Sequence, residues 1–372
     1  MGLLMIMFPA LCGEYLTLLD PMAFVRRPYR WIKELSAEAA CGRTIAAAPN
    51  FAYELAAERG LPPRGHIIDL SNVVGLLNGS EPVTMSAIEK FTNAFAPYGL
   101  PGTAIKPSYG MAEATLGVTT TAPDAAARVV LLDRVQLAAG RAVIVAPETP
   151  GAVAYVSCGQ PLPNQRAVIT DSDGAEVLDG TVGQIWLHGN NIGHGYFGRE
   201  DETQRTFSNK LQSRLEVGSH AEGTPDNSCW LATGDLGVYI DGELYLTARI
   251  KDLIIIDGRN HYPHDIEKTV GQASPAIRTG YVAAFSVPAG TVDSPGGNAA
   301  EQLVVVAERA AGGGRADPAP IAAAVRAAVS REHHIRVADL RLVAAGAIPR
   351  TTSGKLARNA CRADYLAGRF SR

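Results

Sequence analysis

Between Pro28 and Gly110, short apolar runs alternate with stretches of helical period, and this alternation limits the fold more than any other feature of the chain. Trp31, Leu35 and Ala39 recur four residues apart, and Phe51 and Leu55 repeat the spacing, so each segment offers one apolar helical face. Between them, residues 44–48 read as a short buried strand that ends at Pro49-Asn50. Residues 73–77 read as another, followed by the turn Asn78-Gly79-Ser80-Glu81-Pro82 and a helix over residues 86–95. Residues 105–110 look like a strand that leads into a loop. Strands joined through helices require crossovers, which predicts a layered α/β domain with a largely parallel sheet.

After about Gly140 the texture changes. Short β-prone runs at 153–157, 167–170, 183–188, 237–240 and 243–248 are separated by Gly- and Asp-rich turns such as Asp171-Ser172-Asp173-Gly174 and Asp241-Gly242. That spacing predicts a small antiparallel barrel or sheet. From Arg249 onward, strands at 253–256, 281–287 and 303–308 flank helices at 264–272 and 320–333, with residues 288–300 as a surface loop. The expected organisation is an α/β part over 1–140, a β-rich part over 141–248 and a small α/β domain over 249–372. A chain of 372 residues is long enough to build cores for two or three such units.

A net charge of −3 gives no electrostatic reason to expect a nucleic-acid partner. The five cysteines, Cys12, Cys41, Cys158, Cys229 and Cys361, form no C-x-x-C pair and have no histidine at metal-ligand spacing. They read as reduced thiols of a cytoplasmic protein. Residues 1–19 are strongly apolar, but no Lys or Arg precedes the run, and Pro9, Gly13 and Glu14 interrupt it short of the ~20 residues a membrane span needs. Ile6 stands where a myristoylation signal has Ser or Thr. The segment is expected to be buried core, with no membrane span.

Four motifs carry chemistry. In Lys106-Pro107-Ser108-Tyr109-Gly110-Met111-Ala112-Glu113, a flat ring and a hard carboxylate sit on either side of a turn glycine. A nucleotide with Mg²⁺ needs such a pairing, although a solvated turn fits the same residues. In Thr233-Gly234-Asp235, a carboxylate follows a glycine turn, placed either to accept two ribose hydroxyls or to cap the turn. In Arg249-Ile250-Lys251-Asp252, charge crowds before a buried strand, as at a hinge or a solvated strand entry. Asp265 and Glu267 favour the first turn of the following helix. In Arg350-Thr351-Thr352-Ser353-Gly354-Lys355, a flexible loop carries a lone ammonium that could reach a phosphate or remain a solvated basic tail.

Taken in this order, the motifs resemble those of the adenylate-forming superfamily of acyl-CoA synthetases, luciferases and nonribosomal adenylation domains. Asn78-Gly79-Ser80-Glu81-Pro82, Tyr109-Gly110-Met111-Ala112-Glu113 and Gly258-Arg259-Asn260-His261-Tyr262-Pro263 look most like the actinobacterial fatty acyl-AMP ligases, in particular those that activate meromycolate chains. The resemblance covers essentially the whole chain. It implies the adenylate-forming fold: part of a large α/β domain, a β-barrel subdomain, and a small mobile α+β domain carrying a catalytic lysine.

The resemblance also implies roles. Ser80, Glu81, Tyr109, Gly110, Met111 and Ala112 would line the adenine and phosphate pocket, and Tyr109 would stack on the base. Glu113 would hold Mg²⁺, Asp235 and Arg249 would bind the ribose, Lys251 would be the hinge, and Lys355 would be catalytic. The substrates would be ATP and a long-chain fatty acid, and the acyl group would pass to an acyl carrier protein of a polyketide synthase. Residues 208–228 match the insertion that sets these ligases apart from acyl-CoA synthetases, although a surface loop can lengthen at little entropic cost.

Two departures stand out. Ala248 replaces the usual glycine before Arg249, and no Ser/Thr/Gly-rich loop ending in Lys precedes these motifs to cradle the β- and γ-phosphates. The sequence therefore reads as an amino-terminally truncated ligase with impaired activity. An acyl-CoA synthetase and a non-catalytic remnant that binds nucleotide or carrier protein are the alternatives.

Overall fold

The alternation in the first hundred residues is realised as a five-stranded sheet. A computed structural model describes residues 6–292, 301–311, 317–351 and 355–370. The first helices are α1 (Phe8–Cys12), α2 (Pro21–Arg26) and α3 (Tyr29–Ala39). They lead into β1 (Thr44–Pro49), α4 (Asn50–Arg59), β2 (Val73–Gly79), α5 (Met85–Phe95), β3 (Ile105–Met111) and β4 (Leu116–Thr120). Strands β1, β2 and β3 run parallel in that order, and β4 and then β7 (Gln160–Pro161) add antiparallel neighbours. Asp20 starts α2 by accepting from the Ala23 N–H, and Thr84 does the same for α5 through Ala87. The helices cover the sheet through Ile32, Leu35, Tyr53, Phe91 and Phe95, with Tyr53 and Phe91 meeting edge to face at 5.1 Å between ring centroids.

Three expectations need correction here. The segment 6–19 is not buried: Met7, Leu11, Tyr15 and Leu18 are 60, 85, 94 and 69% exposed. Helix α1 stops after five residues at Gly13, whose φ of 73° is left-handed, and an apolar run that short makes no layer of its own. Residues 1–5 of that segment lie outside the described residues. Strand β1 is only half-buried because it is an edge strand, and Ile45 is 62% exposed. Helix α4 buries Ala52, Tyr53 and Ala56 rather than Phe51, a rotation of the apolar face that brings the Tyr53 ring into the core.

The β-rich stretch contains β8 (Gln165–Thr170), β9 (Gly183–Gly189), α7 (Glu200–Phe207), β10 (Leu231–Ile240) and β11 (Glu243–Arg249). The barrel or sheet expected there is a four-stranded sheet in the order β11-β10-β9-β8, with β8–β9 and β9–β10 antiparallel. Tyr239, Ile185, Leu187 and Leu231 fill one face, and the Tyr109 ring belongs to the same cluster.

Residue contacts divide the chain into two compact units. The first holds Met1–Leu132, Ala142–Pro147 and Ala154–Thr247, and the second holds Asp133–Arg141, Glu148–Val153 and Ala248–Arg372. Strands β5 (Val129–Asp133) and β6 (Ala152–Val156) pair where the chain passes from one to the other. The second unit contains α6 (Arg134–Ala138), β12 (Ile254–Ile256), β13 (Arg259–His261), α8 (Pro263–Ala273), β14 (Ile277–Pro288), β15 (Glu301–Arg309), α9 (Pro318–His333), β16 (Val337–Val343) and α10 (Arg358–Leu366). Its sheet runs β14-β15-β16, with the first pair antiparallel and the second parallel. Ile266, Val270, Val305, Val325 and Val329 pack helices α8 and α9 on one face. Of the expected surface loop at 288–300, residues 293–300 are outside the described residues. No helix among the described residues is long and apolar enough to cross a membrane.

Candidate functional site

Parallel strands leave their backbone ends and following loops along one edge of the sheet, where open α/β sheets bind ligands. The first-unit candidates follow that rule. Asn78 of β2 pairs with Pro107 of β3, and a Cβ on Gly79 would stand 2.6 Å from the Ser108 carbonyl oxygen. Ser80-Glu81 and Tyr109–Glu113 therefore leave the carboxyl ends of neighbouring strands. Ser80 has φ of 71°, and Thr115 and Leu116 have φ of 53° and 89°. Non-glycine residues in the left-handed region cost energy, and such strain concentrates at functional loops.

Gly110 is a steric requirement. A Cβ there would fall 1.6 Å from the Leu116 carbonyl oxygen, because β3 and β4 close tightly where Gly110 faces Gly117. The close approach turns the chain into the short 3₁₀ turn Ala112–Ala114, which carries Glu113.

Two motifs 126 residues apart meet directly. The Tyr109 hydroxyl donates to Asp235 Oδ2 at 2.7 Å, and the two residues are 7% and 4% exposed. Asp235 follows Gly234, whose φ is 72°, and its own N–H donates to Thr233 Oγ1 at 3.0 Å. The carboxylate is thus held at a fixed place beside β3. The Tyr109 ring packs within the core cluster of this sheet, so it is a fixed platform rather than a swinging one.

Glu113 is positioned from the other side. Its Oε1 accepts from the Tyr196 hydroxyl at 2.7 Å, and its carbonyl accepts from the Gly193 N–H at 2.8 Å. Burial, and then the neighbouring Glu113 carboxylate, push the Tyr196 hydroxyl up to about 12, so it remains a donor. Among the described residues no group of three or more His, Cys, Asp or Glu is placed to hold a metal. A single carboxylate still suits Mg²⁺, which takes most of its ligands from phosphate and water, and Glu113 is the residue that would hold it. Met111 is half-buried and Ala112 next to it is exposed. Glu81 behaves differently from its neighbours: its Oε1 accepts from the Phe51 N–H at 2.7 Å, capping the start of α4, where Pro49 offers no side-chain acceptor.

Residues 208–228 form an ordered loop. The buried Glu176 carboxylate accepts from Leu215 N–H, Ser219 hydroxyl and His220 N–H at 3.0, 2.6 and 2.7 Å. His220 stacks on Tyr239 with centroids 3.7 Å apart and bonds Asp179 at 2.9 Å. Trp230, Trp186, Val168 and Ala221 close an apolar cluster beneath the loop.

Arg249, Lys251 and Lys355 belong to the second unit. Arg249 ends β11, and Lys251 is exposed in the short 3₁₀ turn Ile250–Asp252. Lys355 is exposed at the stem of a hairpin: Thr351 N–H donates to the Lys355 carbonyl at 2.8 Å, Lys355 N–H donates to Thr351 Oγ1 at 3.1 Å, and Arg350 pairs with Leu356. Thr352, Ser353 and Gly354, part of the same motif, lie outside the described residues.

Sequence reasoning passed over several residues that the structure makes prominent. Arg358 forks onto Glu267 through two bonds of 2.7 Å and reaches Asp252 at 3.2 Å. Burial opposes its charge, but Glu267 and then Asp252 outweigh that and hold its pKa above the ordinary value. Its carboxylate partners stood in the charged motif already singled out; an isolated arginine at the start of a helix gives no sign of them. Tyr196 and Glu176 were equally silent, since a partner 83 residues away, as Glu113 is from Tyr196, leaves no local pattern.

Comparison with known proteins bears on this arrangement. The model of the AMP-binding enzyme family matches residues 1–197, just over half of the chain. The chain is 51% identical over 383 aligned residues to the long-chain-fatty-acid–AMP ligase FadD32 of Mycobacterium marinum, covering 99% of this chain and 61% of that protein. It is 40% identical to the long-chain-fatty-acid–AMP ligase FadD26 of the same organism, over 100% of this chain and 61% of that one. Among solved structures, one from work on fatty acyl-adenylate ligases of E. coli and L. pneumophila superposes with a TM-score of 0.80 at 29% identity, covering 100% of this chain and 61% of that one. The chain spans about three-fifths of the length of these relatives. It belongs to the family of AMP-binding enzymes.

Proposed function

We propose that this chain belongs to a cytoplasmic ligase that activates a long-chain fatty acid with ATP, giving an acyl-adenylate and pyrophosphate. The observation that carries the reading is the Tyr109–Asp235 bond, which joins the aromatic motif to the ribose-type carboxylate at the carboxyl edge of a parallel sheet. The similarity to two long-chain-fatty-acid–AMP ligases supports the acid substrate. In this reading Ser80, Tyr109, Gly110, Met111 and Ala112 border the adenosine, while Asp235 accepts from the ribose and Arg249 donates to it. Glu81 borders the adenosine with them and also holds the start of α4 through the Phe51 N–H. Mg²⁺ at Glu113 would neutralise phosphate charge as pyrophosphate leaves. The Lys355 ammonium bridges the acid carboxylate and the α-phosphate, where it offsets the negative charge that builds as the two approach.

The acyl group then goes to an acyl carrier protein of a polyketide synthase, as in mycolic-acid-type lipid synthesis, with Lys251 as the pivot between the two half-reactions. The well-anchored 208–228 loop favours this over an acyl-CoA synthetase. The 372 residues contain no second Ser/Thr/Gly-rich loop ending in Lys, so adenylate binding is expected to exceed ATP turnover in this chain.

Calorimetry with a non-hydrolysable long-chain acyl-adenylate tests the site directly: saturable binding by the wild type, weakened by Asp235→Ala, is expected. Absence of binding by a folded chain rejects the reading. Pyrophosphate release from ATP and fatty acid should be negligible, and clear turnover would show that no further triphosphate grip is required.

A further inference from the structure

The lysine of the hairpin is flanked in sequence by two arginines, and each is tied to a different part of the second unit. On one leg, the Arg350 guanidinium lies 4.0 Å from the centroid of the Tyr281 ring and donates to the Gly280 carbonyl at 2.7 Å. On the other leg, Arg358 opens α10 and forks onto Glu267 of α8 while reaching Asp252. The three side chains of that second anchor are largely withdrawn from water, at 20, 12 and 14% exposure. Glu267 Oε1 also accepts from the Ala284 N–H of β14. One guanidinium therefore joins the entry turn of the unit, α8, β14 and the exit of the lysine hairpin.

A buried ionic cluster is weak evidence for stability, because apolar groups of the same shape often hold a core equally well. It is better evidence for orientation, since the fork of an arginine fixes direction as well as distance. Three residues span at most about 10 Å, so whatever fixes Arg358 limits where the Lys355 backbone can go.

We propose that Arg358 is a positioning residue for Lys355, holding the stem of the lysine hairpin to α8 and to Asp252. The proposal rests on the reading of Lys355 given above and adds a residue that acts through it.

The test uses the full chain. In Arg358→Gln, amide hydrogen exchange at Thr351 and Lys355 should quicken about tenfold or more, while Val304 and Val306 of β15 keep their wild-type protection. Arg358→Lys, which restores the charge but not the fork, should be intermediate. Unchanged exchange at the hairpin, or an equal rise throughout β15, overturns the proposal. If Arg358→Gln does not fold, Glu267→Gln removes the same fork with little change of shape and is judged by the same criteria. A calorimetric cycle with the acyl-adenylate supplies the second readout. Lys355→Ala and Arg358→Gln should each weaken binding, and the double variant should be no weaker than Lys355→Ala alone. Additive losses overturn positioning through Lys355. If Lys355→Ala leaves affinity unchanged, the reading of Lys355 fails instead, and the exchange rates still decide whether Arg358 holds the hairpin.

Discussion

Asp235 is worth most where it is because Tyr109 and Thr233 have already fixed it before any ligand arrives. In the proposed reading, a pre-placed carboxylate loses little freedom on accepting ribose hydroxyls, so its removal would fall mainly on affinity. Asp235→Ala should weaken acyl-adenylate binding by roughly 10- to 100-fold, the equivalent of ~1.5–3 kcal/mol for hydrogen bonds to a charged group. Titration calorimetry reads this directly. A second residue sets a pH dependence. His333 is 6% exposed, and Thr269 Oγ1 lies 2.8 Å from both His333 Nε2 and Glu332 Oε2. A hydroxyl has one proton, so the arrangement closes when the neutral ring donates to Thr269 and Thr269 donates to Glu332. Burial, followed by Arg134 and nearby histidines, lowers the His333 pKa from 6.5 to about 3. The folded state thus resists a proton that the unfolded chain accepts, and stability falls as pH drops below 6.5. Between pH 7 and pH 5 the loss should be about 2 kcal/mol from this group. Denaturant titrations at the two pH values should show that loss in the wild type and a smaller one in His333→Gln.

At the scale of elements, the tight closure of β3 on β4 is the feature with least room for change. Gly110→Ala forces a carbon against a backbone oxygen that no side-chain rotation can move. It should cost about 3 kcal/mol or more and lower the melting temperature of the first unit by roughly 6–12 °C. Differential scanning calorimetry checks this, with Gly102→Ala, where a Cβ meets nothing within 4 Å, as the control. Much of this level was legible in the sequence. The helix over Trp31, Leu35 and Ala39, strand β2, helix α5 and the strand-turn at Gly110 follow from period and turn chemistry. The misreadings share one cause. Apolar character shows that a segment can be buried, but not whether a neighbour exists to bury it, as Leu11, Ile45 and Phe51 demonstrate. The sites divide in the same way. Tyr109, Glu113 and Asp235 announce themselves through turn glycines, whereas Glu176, Tyr196 and Arg358 depend on partners that only the tertiary fold supplies.

For the molecule as a whole, the separate cores of the two units predict that unfolding need not be a single event. His333→Gln should alter the acid sensitivity of the unit containing β14–β16 and leave the first unit unaffected. Hydrogen exchange by segment would show whether that separation holds. Strand β1 carries a consequence of another kind. Among the described residues no strand pairs with its outer side, which lies beside small alanines and an exposed Ile45, with no charged side chain between Thr44 and Pro49. Such a border is a template for a strand from another molecule, so the behaviour of the protein in solution should depend on how concentrated it is. Light scattering should rise steeply with concentration for the wild type and much less for Ile45→Lys, making this one edge position the natural handle for keeping the chain monodisperse.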